Sequence, residues 1–476
     1  MALKPLQDLN WVLKNPFNGI VKSMGFLAQL RLKTTQILKD QGFRRYASNT
    51  SWMFGEQILR IIAGVLVGIW VARYLGPQKF GVFSYALAFV AIFSGIAKLG
   101  LDAIVVRNLV NNPANRDLYL GTAFWLKLIA AILTLLFIVL SAIYSLNDST
   151  TNLYILIIAS GLIFQSFEVV DFYFQSKVLS KFVSISKITQ LFLSSLLKIY
   201  FVFTGADLFW FVLVSLLDQI TLAISLGFAY KSQKCGGFYR YFDIEVAKAL
   251  LGDSWALWVS SFFTLFLLNI NRILLNSILG AQAVGIFSAA VNLATAFTFI
   301  TIVVTNSLSP AIISAKNRSA ALYNERLFNL FRLLLVLSIG LSVVIFFLAD
   351  YLIQILYGTN YSEAAAVLKV YVWSIVFVFL GNGSWQWYIN ENMLHLSVVR
   401  LFVGAVSAYV LGYLFIYRYG IVGAAISTII SNLIAFYVGN LFLKKTRPLF
   451  IIQSNAFFNI FNFKSYFNWF NGGIYG

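Results

Sequence analysis

Long apolar runs separated by short polar segments fill the chain between residues 51 and 443. A bilayer core about 30 Å thick requires about 20 apolar residues per helix. By that measure the sequence predicts twelve transmembrane helices. We place six at 51–72, 81–99, 118–140, 153–174, 186–203 and 208–230, and six more at 254–278, 284–308, 327–348, 366–389, 396–416 and 421–443. We therefore expect an all-α integral membrane protein.

A short motif occurs twice along this pattern. Residues 75–86 read LGPQKFGVFSYA and residues 279–290 read LGAQAVGIFSAA, so seven of the twelve positions match at a constant offset of 204 residues. A period of this length indicates duplication of a whole helical bundle. Because each half has an even number of helices, both enter the membrane from the same side as parallel repeats. The sequence thus predicts an exporter-type bundle of two six-helix lobes.

The predicted organisation has five parts. They are a basic head, amphipathic or disordered, at 1–50, a first lobe at 51–230, a linker at 231–253, a second lobe at 254–443, and a tail at 444–476. If the head is cytoplasmic, 24 of the 35 Lys and Arg residues lie in inner segments and three, Arg73, Lys79 and Arg418, lie outside. Inner loops of membrane proteins carry this excess. We expect head, linker and tail to be cytoplasmic.

Composition narrows the chemistry. The chain is 60% hydrophobic and 11% charged, with a formal net charge of +18. Because most of the Lys and Arg residues lie in the predicted inner segments, membrane orientation explains the positive charge and we predict no nucleic-acid partner. One cysteine, Cys235, excludes an intrachain disulfide, and one histidine, His395, leaves no cluster for zinc. No phosphate-binding glycine loop is present, so we expect neither a cofactor nor direct use of ATP.

Eight basic residues fall inside or at the edges of the predicted helices. Four lie within about one turn of a helix end, where we expect the charge to reach the interface: Lys98, Arg332, Lys369 and Arg400. Four lie deeper and are our candidates for lining a central cavity and binding substrate: Arg60, Lys127, Lys198 and Arg272. More deep bases than acids predict a cationic lumen, which attracts an anion such as a phosphate or an acidic sugar.

The acids within the helices have two interpretations each. Glu56 precedes Arg60 by four residues, which predicts an ion pair on one helix, with a functional role as the alternative. Asp218 could form a fixed pair with Lys198 or Lys127, or take part in transport. Glu168 and Asp171 are three residues apart, which predicts either a proton or cation site or two solvated charges at a helix end. We regard Glu168, Asp171 and Asp218 as the ion-coupling candidates.

Two further patterns have a structural and a functional interpretation. The run GNGSWQWYIN at 381–390 offers Trp385, Trp387 and Tyr388 for stacking on sugars, although an aromatic belt at the interface is the more ordinary interpretation. Gly64 and Gly68 form a GxxxG spacing, which usually indicates close packing of helices.

The run ARYLGPQKFGVFSYALAFVAIFSGIAKLGLDAIVVRNLV at 72–110 resembles the amino-terminal signature of bacterial polysaccharide flippases, the O-antigen-type translocases of the multidrug/oligosaccharidyl-lipid/polysaccharide exporter superfamily. The similarity continues through DFYFQSK at 171, LGAQAVGIFSAA at 279, ILYGTNYSEAAAVLKVYVW at 355 and YGIVGAAISTIISN at 419. The charged positions that match the family are Asp102, Arg107, Glu168 and Asp171. Where relatives commonly have a basic-x-acidic pattern, this chain has Asn269, Ile270 and Asn271.

The resemblance implies a transporter, not an enzyme, in the bacterial inner membrane. Its substrate would be an undecaprenyl-pyrophosphate-linked oligosaccharide, moved by alternating access. A gradient of the coupling ion, proton or sodium, would drive the movement. It also implies contact with membrane lipids and with proteins of polysaccharide polymerisation and assembly. The alternatives are a multidrug exporter of the same superfamily, a gradient-independent scramblase, and a membrane polymerase or glycosyltransferase. Short outer loops argue against the enzyme.

Overall fold

The computed structural model describes residues 41–144 and 147–460, with side chains from residue 48 onward. Within these residues the regular structure is entirely helical, which confirms the predicted all-α class. Most of the predicted head, and residues 461–476 of the predicted tail, lie outside the described residues.

Fifteen α-helices follow one another along the described chain. The first half contains α1 (Gln41–Lys98), α2 (Asp102–Asn111), α3 (Arg116–Ile143), α4 (Ser149–Ser160), α5 (Val169–Ser176), α6 (Ser180–Phe203) and α7 (Leu208–Ser232). The second half contains α8 (Ile244–Leu279), α9 (Ala281–Thr295), α10 (Phe299–Arg318), α11 (Ala320–Leu356), α12 (Glu363–Tyr371), α13 (Ser374–Asn390), α14 (Leu394–Phe436) and α15 (Arg447–Phe458). Tight 3₁₀ turns join α4 to α5 and α9 to α10.

Two of these helices are interrupted by a glycine. The 58 residues of α1 would form a straight rod of about 87 Å, far longer than a bilayer core is thick. At Gly76 φ is 71°, a conformation that glycine adopts without a steric penalty, so α1 consists of two arms, α1a (41–75) and α1b (77–98). Gly420, with φ of 61°, divides α14 into α14a (394–419) and α14b (421–436) in the same way.

Nine helical segments of the described chain are long and apolar enough to cross a membrane, and a tenth arises if α12 and α13, which meet at 41°, are one bent span. Two of the nine contain the interrupting glycines Gly76 and Gly420. The multi-pass membrane fold is therefore confirmed, whereas the count of twelve stays a prediction.

The connections between helices lie at two ends of the bundle. We call the end with the connection between α7 and α8 the linker end, and the end with Gly76 and Gly280 the glycine-turn end. The linker is shorter than predicted, because α8 already begins at Ile244. Asp243 caps this helix by accepting hydrogen bonds from the backbone N–H groups of Glu245 and Val246.

The described part of the tail is ordered. Helix α15 follows Thr446, and its Gln453 is fully buried. The Gln453 side chain donates to Ser384 Oγ at 2.8 Å and accepts from Asn440 Nδ2 at 2.9 Å. These hydrogen bonds attach α15 to α13 and to the 3₁₀ turn after α14, so residues 447–458 pack against the second half of the bundle.

Candidate functional site

The two copies of the repeated motif contact each other at the glycine-turn end. A β-carbon at Gly81 would lie 1.7 Å from the carbonyl oxygen of Ala281, and one at Gly285 would lie 2.0 Å from that of Pro77. Positions 77 and 281, like 81 and 285, are separated by the repeat offset of 204 residues. The two halves therefore meet in an approximately symmetric contact that only glycine permits at positions 81 and 285.

A further contact closes the same end. The hydroxyl of Tyr361, in the second half, donates a 2.7 Å hydrogen bond to the backbone carbonyl of Ala72 in the first half. Tyr361 is fully buried. Since a buried hydrogen bond of this kind excludes water between its partners, the halves are shut against each other here.

Below this contact the halves separate around a cavity of about 320 Å³, which we call the central cleft. Arm α1a forms one wall and α9 and α10 form the other; the lining residues are Gln57, Arg60, Ile61, Gly64, Val65, Gly68, Ile69, Asn292, Thr295, Ala296, Thr298, Phe299, Ile302 and Tyr357. No atom lies within 4 Å of where a β-carbon would stand at Gly64 or Gly68. The GxxxG spacing was expected to pack against a helix, but here it lines open space.

The central cleft continues toward the linker end. A second cavity of about 470 Å³, which we call the entrance cavity, shares Gln57 and Ile302 with it. Its walls carry Glu56, Asp171 and Lys187. The space between the halves is thus closed at the glycine-turn end and extends toward the linker end.

Arg60 is the deep base that the structure places in the central cleft. Its Nε lies 2.7 Å from Glu56 Oε1, and its side chain is 40% exposed. The predicted i,i+4 ion pair is therefore confirmed. The pair holds the guanidinium in one orientation while leaving part of it accessible from the cleft.

Lys127 was predicted to line the same cavity, but its side chain is only 1% exposed. Its Nζ lies 3.0 Å from Glu168 Oε2 and 5.2 Å from the centre of the Phe172 ring. A cation so deeply buried requires such a partner. Lys127 is therefore buried within the first half and does not line the central cleft.

The two acids of the fourth predicted span have separate lysine partners. While Glu168 pairs with Lys127, Asp171 Oδ2 lies 3.1 Å from Lys187 Nζ in the entrance cavity. Asp171 also accepts from Gln175 Nε2 at 2.9 Å. Each of the two carboxylates therefore has its own lysine at ion-pair distance.

Lys198 and Asp218 pair between α6 and α7. Lys198 Nζ lies 3.6 Å from Asp218 Oδ2, which also accepts from Ser194 Oγ at 3.1 Å. Of the two partners predicted for Asp218, the structure selects Lys198. Both groups are mostly covered, as expected for a pair held within the first half.

Arg272 differs from the other three deep bases. Its guanidinium donates to Ser288 Oγ at 3.1 Å, to Asn269 Oδ1 at 3.0 Å and to Asn292 Oδ1 at 3.4 Å. In the part of the chain that the structure describes, no carboxylate lies within ion-pair distance of it. Asn292 lines the central cleft, so Arg272 brings an unneutralised charge to its edge.

The neighbouring Asn271 occupies the position where the family resemblance placed an acid. It is buried, donates to Thr428 Oγ1 at 2.8 Å and to the Ala424 carbonyl at 3.2 Å, and accepts from Ser427 Oγ at 3.2 Å. These hydrogen bonds between uncharged groups hold α8 against α14b.

Four residues lie deeper than the sequence indicated. Arg400 was expected near the interface, yet it is 3% exposed and its guanidinium carbon lies 4.7 Å from the centre of the Tyr388 ring. Trp387 and Tyr388 are buried as well, so they form no interfacial belt. Arg332, also expected near an interface, is buried. The depth of Arg400 was missed because the rings that cover it, Tyr388 and Phe436, come from other helical segments.

Solved structures share this architecture. An inward-facing multidrug resistance MATE family transporter of the MOP superfamily is similar with a TM-score of 0.62 and 16% identity, covering 82% of this chain and 95% of that one. The lipid II flippase MurJ, in an inward closed conformation, is similar with a TM-score of 0.63 and 16% identity, covering 87% and 92%. The chain therefore shares the fold of these two proteins.

Sequence comparison identifies the family. The family model described as "Polysaccharide biosynthesis protein" matches residues 46–315, more than half of the chain, and the chain belongs to that family. The capsular polysaccharide biosynthesis protein CapF of Staphylococcus aureus is 22% identical over 420 residues, covering 83% of this chain and 99% of the relative. The resemblance to a polysaccharide family is confirmed, and the family is the one described as polysaccharide biosynthesis.

Proposed function

We propose that this protein is a flippase that moves undecaprenyl-pyrophosphate-linked oligosaccharide across the bacterial inner membrane by alternating access. The observation that carries this proposal is the central cleft, which lies between the repeated halves, is shut at the glycine-turn end and extends toward the linker end. The linker end is the cytoplasmic end, because the predicted inner segments carry most of the Lys and Arg residues. The headgroup enters there.

The lining of the cleft suits a charged sugar headgroup. Arginine binds phosphate oxygens through several parallel hydrogen bonds, and Arg60 lies in the cleft while Arg272 lies at its edge. Asn292, Thr295 and Thr298 offer amide and hydroxyl groups to sugars. We assign Arg60 and Arg272 to the pyrophosphate, and Lys127 and Lys198 to the ion pairs that hold the first half together.

Ion coupling acts through those pairs in our proposal. A proton on Glu168, Asp171 or Asp218 removes the charge that holds its lysine, and a sodium ion competes with the lysine for the same oxygens. Since Asp171 and Lys187 line the entrance cavity, their pair is the one that the coupling ion reaches first.

The test uses purified protein in liposomes containing a labelled undecaprenyl-pyrophosphate oligosaccharide. Gly64→Trp places a large side chain in the open cleft, whereas Gly340→Trp, on an exposed face of α11 with nothing within 4 Å, is the matched control. We expect wild type and the control to move the lipid, and Gly64→Trp to lose about tenfold or more of the flux, since the chamber is filled. No movement by wild type under any imposed gradient would contradict the proposal.

A further inference from the structure

A third cavity, of about 460 Å³, lies between the halves and shares no lining residue with the central cleft. We call it the lateral cavity. The first half contributes Lys98 and Asp102 to its wall, and the second half contributes Thr264, Asn382, Trp385 and Arg400. The proposed role of the central cleft leaves the lateral cavity without a function.

Arg400 is the unusual member of this wall. It is 3% exposed, with its guanidinium carbon 4.7 Å from the centre of the Tyr388 ring and 5.6 Å from that of Phe436. Its Nε and Nη1 are buried without a hydrogen-bond partner, and no described carboxylate lies within ion-pair distance. Aromatic faces stabilise a cation, but they leave its N–H groups unsatisfied. An anion would complete this environment.

The ring that supports Arg400 is itself held in place. The hydroxyl of Tyr388 donates to Asn440 Oδ1 at 2.9 Å, and Asn440 Nδ2 donates to Gln453 Oε1 at 2.9 Å. Because these partners are buried and hydrogen-bonded, the guanidinium rests on a rigid base. A rigid, prepared cation is what selective anion binding requires.

The rest of the wall suits a sugar. Trp385 is 37% exposed, so part of its indole ring is available to stack on the apolar face of a pyranose. Thr264 and Asn382 supply hydroxyl and amide groups, and Asp102 can accept from sugar hydroxyls. Lys98 adds a second positive charge, so the six named residues carry two cations and one carboxylate.

The lateral cavity is also connected to the helix that lines the central cleft. Asn382 Nδ2 donates to Thr301 Oγ1 at 2.8 Å, and Thr301 belongs to α10, whose Phe299 and Ile302 line the cleft. This hydrogen bond links a wall of the lateral cavity to a wall of the central cleft.

We propose that the lateral cavity binds an acidic sugar residue, with Arg400 and Lys98 contacting its carboxylate or phosphate and Trp385 stacking on its ring. This inference rests on the proposed flippase function and deepens it, because it assigns the carried oligosaccharide to the acidic class. The same chemistry is present in a free sugar phosphate, so the test includes both sources.

Binding is measured by calorimetry on the purified full chain, with a glucuronate-containing disaccharide and its neutral glucose counterpart as probes. We expect wild type to bind the acidic disaccharide at least about tenfold more tightly than the neutral one. A difference of this size is what one charge-assisted contact supplies. Arg400→Gln should abolish the preference. Arg418→Gln is the matched control, because Arg418 lies on the same helix beside Tyr419 but is exposed. Equal binding of both sugars by wild type would overturn the proposal.

Two exposed or half-exposed positions keep the test decisive if Arg400→Gln does not fold. Lys98→Gln should reduce the preference for the acidic sugar by a few fold, and Trp385→Leu should weaken both sugars alike. If both variants bind as wild type does, the site is wrong. Glucose 1-phosphate that competes with the acidic disaccharide would support the site and identify a free sugar phosphate as a ligand. Inorganic phosphate that binds as tightly as either sugar would contradict the assignment to a saccharide.

The liposome assay separates this inference from the flippase proposal. If acidic and neutral lipid-linked glycans move equally in wild type and in Arg400→Gln, the flippase proposal stands and the inference fails. If the acidic disaccharide binds with the expected preference but no glycan moves, the site stands and the flippase proposal fails.

Discussion

In the first half of the bundle, three cations inside the helices are each paired with a carboxylate: Arg60, Lys127 and Lys198. In the second half, Arg272 contacts hydroxyl and amide groups, and Arg400 contacts aromatic rings. Neither has a carboxylate at ion-pair distance within residues 48–144 and 147–460.

The duplication therefore preserved the helical framework while the charge distribution diverged. The pairs of Lys127 and Lys198 join different helical segments, and all three pairs contribute little long-range field, because their opposite charges largely cancel. The unneutralised arginines of the second half are the groups that attract an anion. In the proposed mechanism, the first half provides the ion pairs that respond to the coupling ion, with Arg60 and Lys98 also facing the substrate, and the second half provides the unneutralised arginines.

The largest expected effect is on stability. Glu168→Gln leaves the Lys127 ammonium buried without its carboxylate, so we expect a loss of about 3 kcal/mol in the free energy of unfolding. Thermal unfolding in detergent measures it. The double variant Lys127→Leu/Glu168→Leu should recover most of the loss, since no charge then remains buried. A single variant as stable as wild type would show that the pair is not structural.

The next effect is on transport. Arg272→Gln should lower the flux of pyrophosphate-linked glycan by about tenfold, because the lost charge has no carboxylate to balance it. Lys198→Gln is the comparison in the first half, and we expect a smaller loss of flux, since Asp218 already neutralises Lys198. Equal losses in the liposome assay would remove the distinction between the halves.

A third variant gives Arg272 of the second half a carboxylate partner, as the deep bases of the first half have. Asn269 Oδ1 accepts from Arg272 Nη1 at 3.0 Å, so Asn269→Asp creates an ion pair at the same place. We expect a several-fold reduction in flux with unchanged thermal stability, because the new carboxylate competes with the pyrophosphate for Arg272. Flux equal to that of wild type would mean that Arg272 does not contact the substrate.

The smallest effect is expected at the glycine-turn end. The hydrogen bond from Lys79 Nζ, at 2.6 Å, lowers the pKa of the Asp207 carboxyl below its usual range. Stability from this contact is therefore present above the ordinary carboxyl pKa and is lost as the pH falls through the lowered one. Both groups are exposed, so Asp207→Asn should cost under about 0.5 kcal/mol. Unfolding midpoints measured from pH 6 to pH 8 should show no dependence on this pair.

Features that depend on spacing along the chain, such as the repeat, the i,i+4 ion pair and the apolar lengths, could be predicted from the sequence. The offset of 204 residues predicted two similar halves, and the structure places the two motifs in contact through Gly81 and Gly285. The Glu56–Arg60 pair was predictable because four residues span one helical turn. The membrane class followed from apolar length alone.

Pairings between distant segments could not be predicted. Lys127 meets Glu168 across 41 residues, and the choice depends on how α3 rotates against the 3₁₀ turn after α4. Depth was also misjudged at Arg400, because Tyr388 and Phe436 cover it from α13 and α14b. Linear sequence shows neither helix rotation nor coverage by neighbours.

The most direct test concerns the cleft itself. In a Cys235→Ser background, Gly64→Cys and the outward control Gly340→Cys are exposed to a membrane-impermeant maleimide in vesicles of either orientation. We expect rapid labelling of Gly64→Cys from the linker end, slow labelling from the glycine-turn end, and little labelling of Gly340→Cys. Labelling of Gly64→Cys no faster than that of Gly340→Cys from either side would contradict a water-filled cleft between the halves.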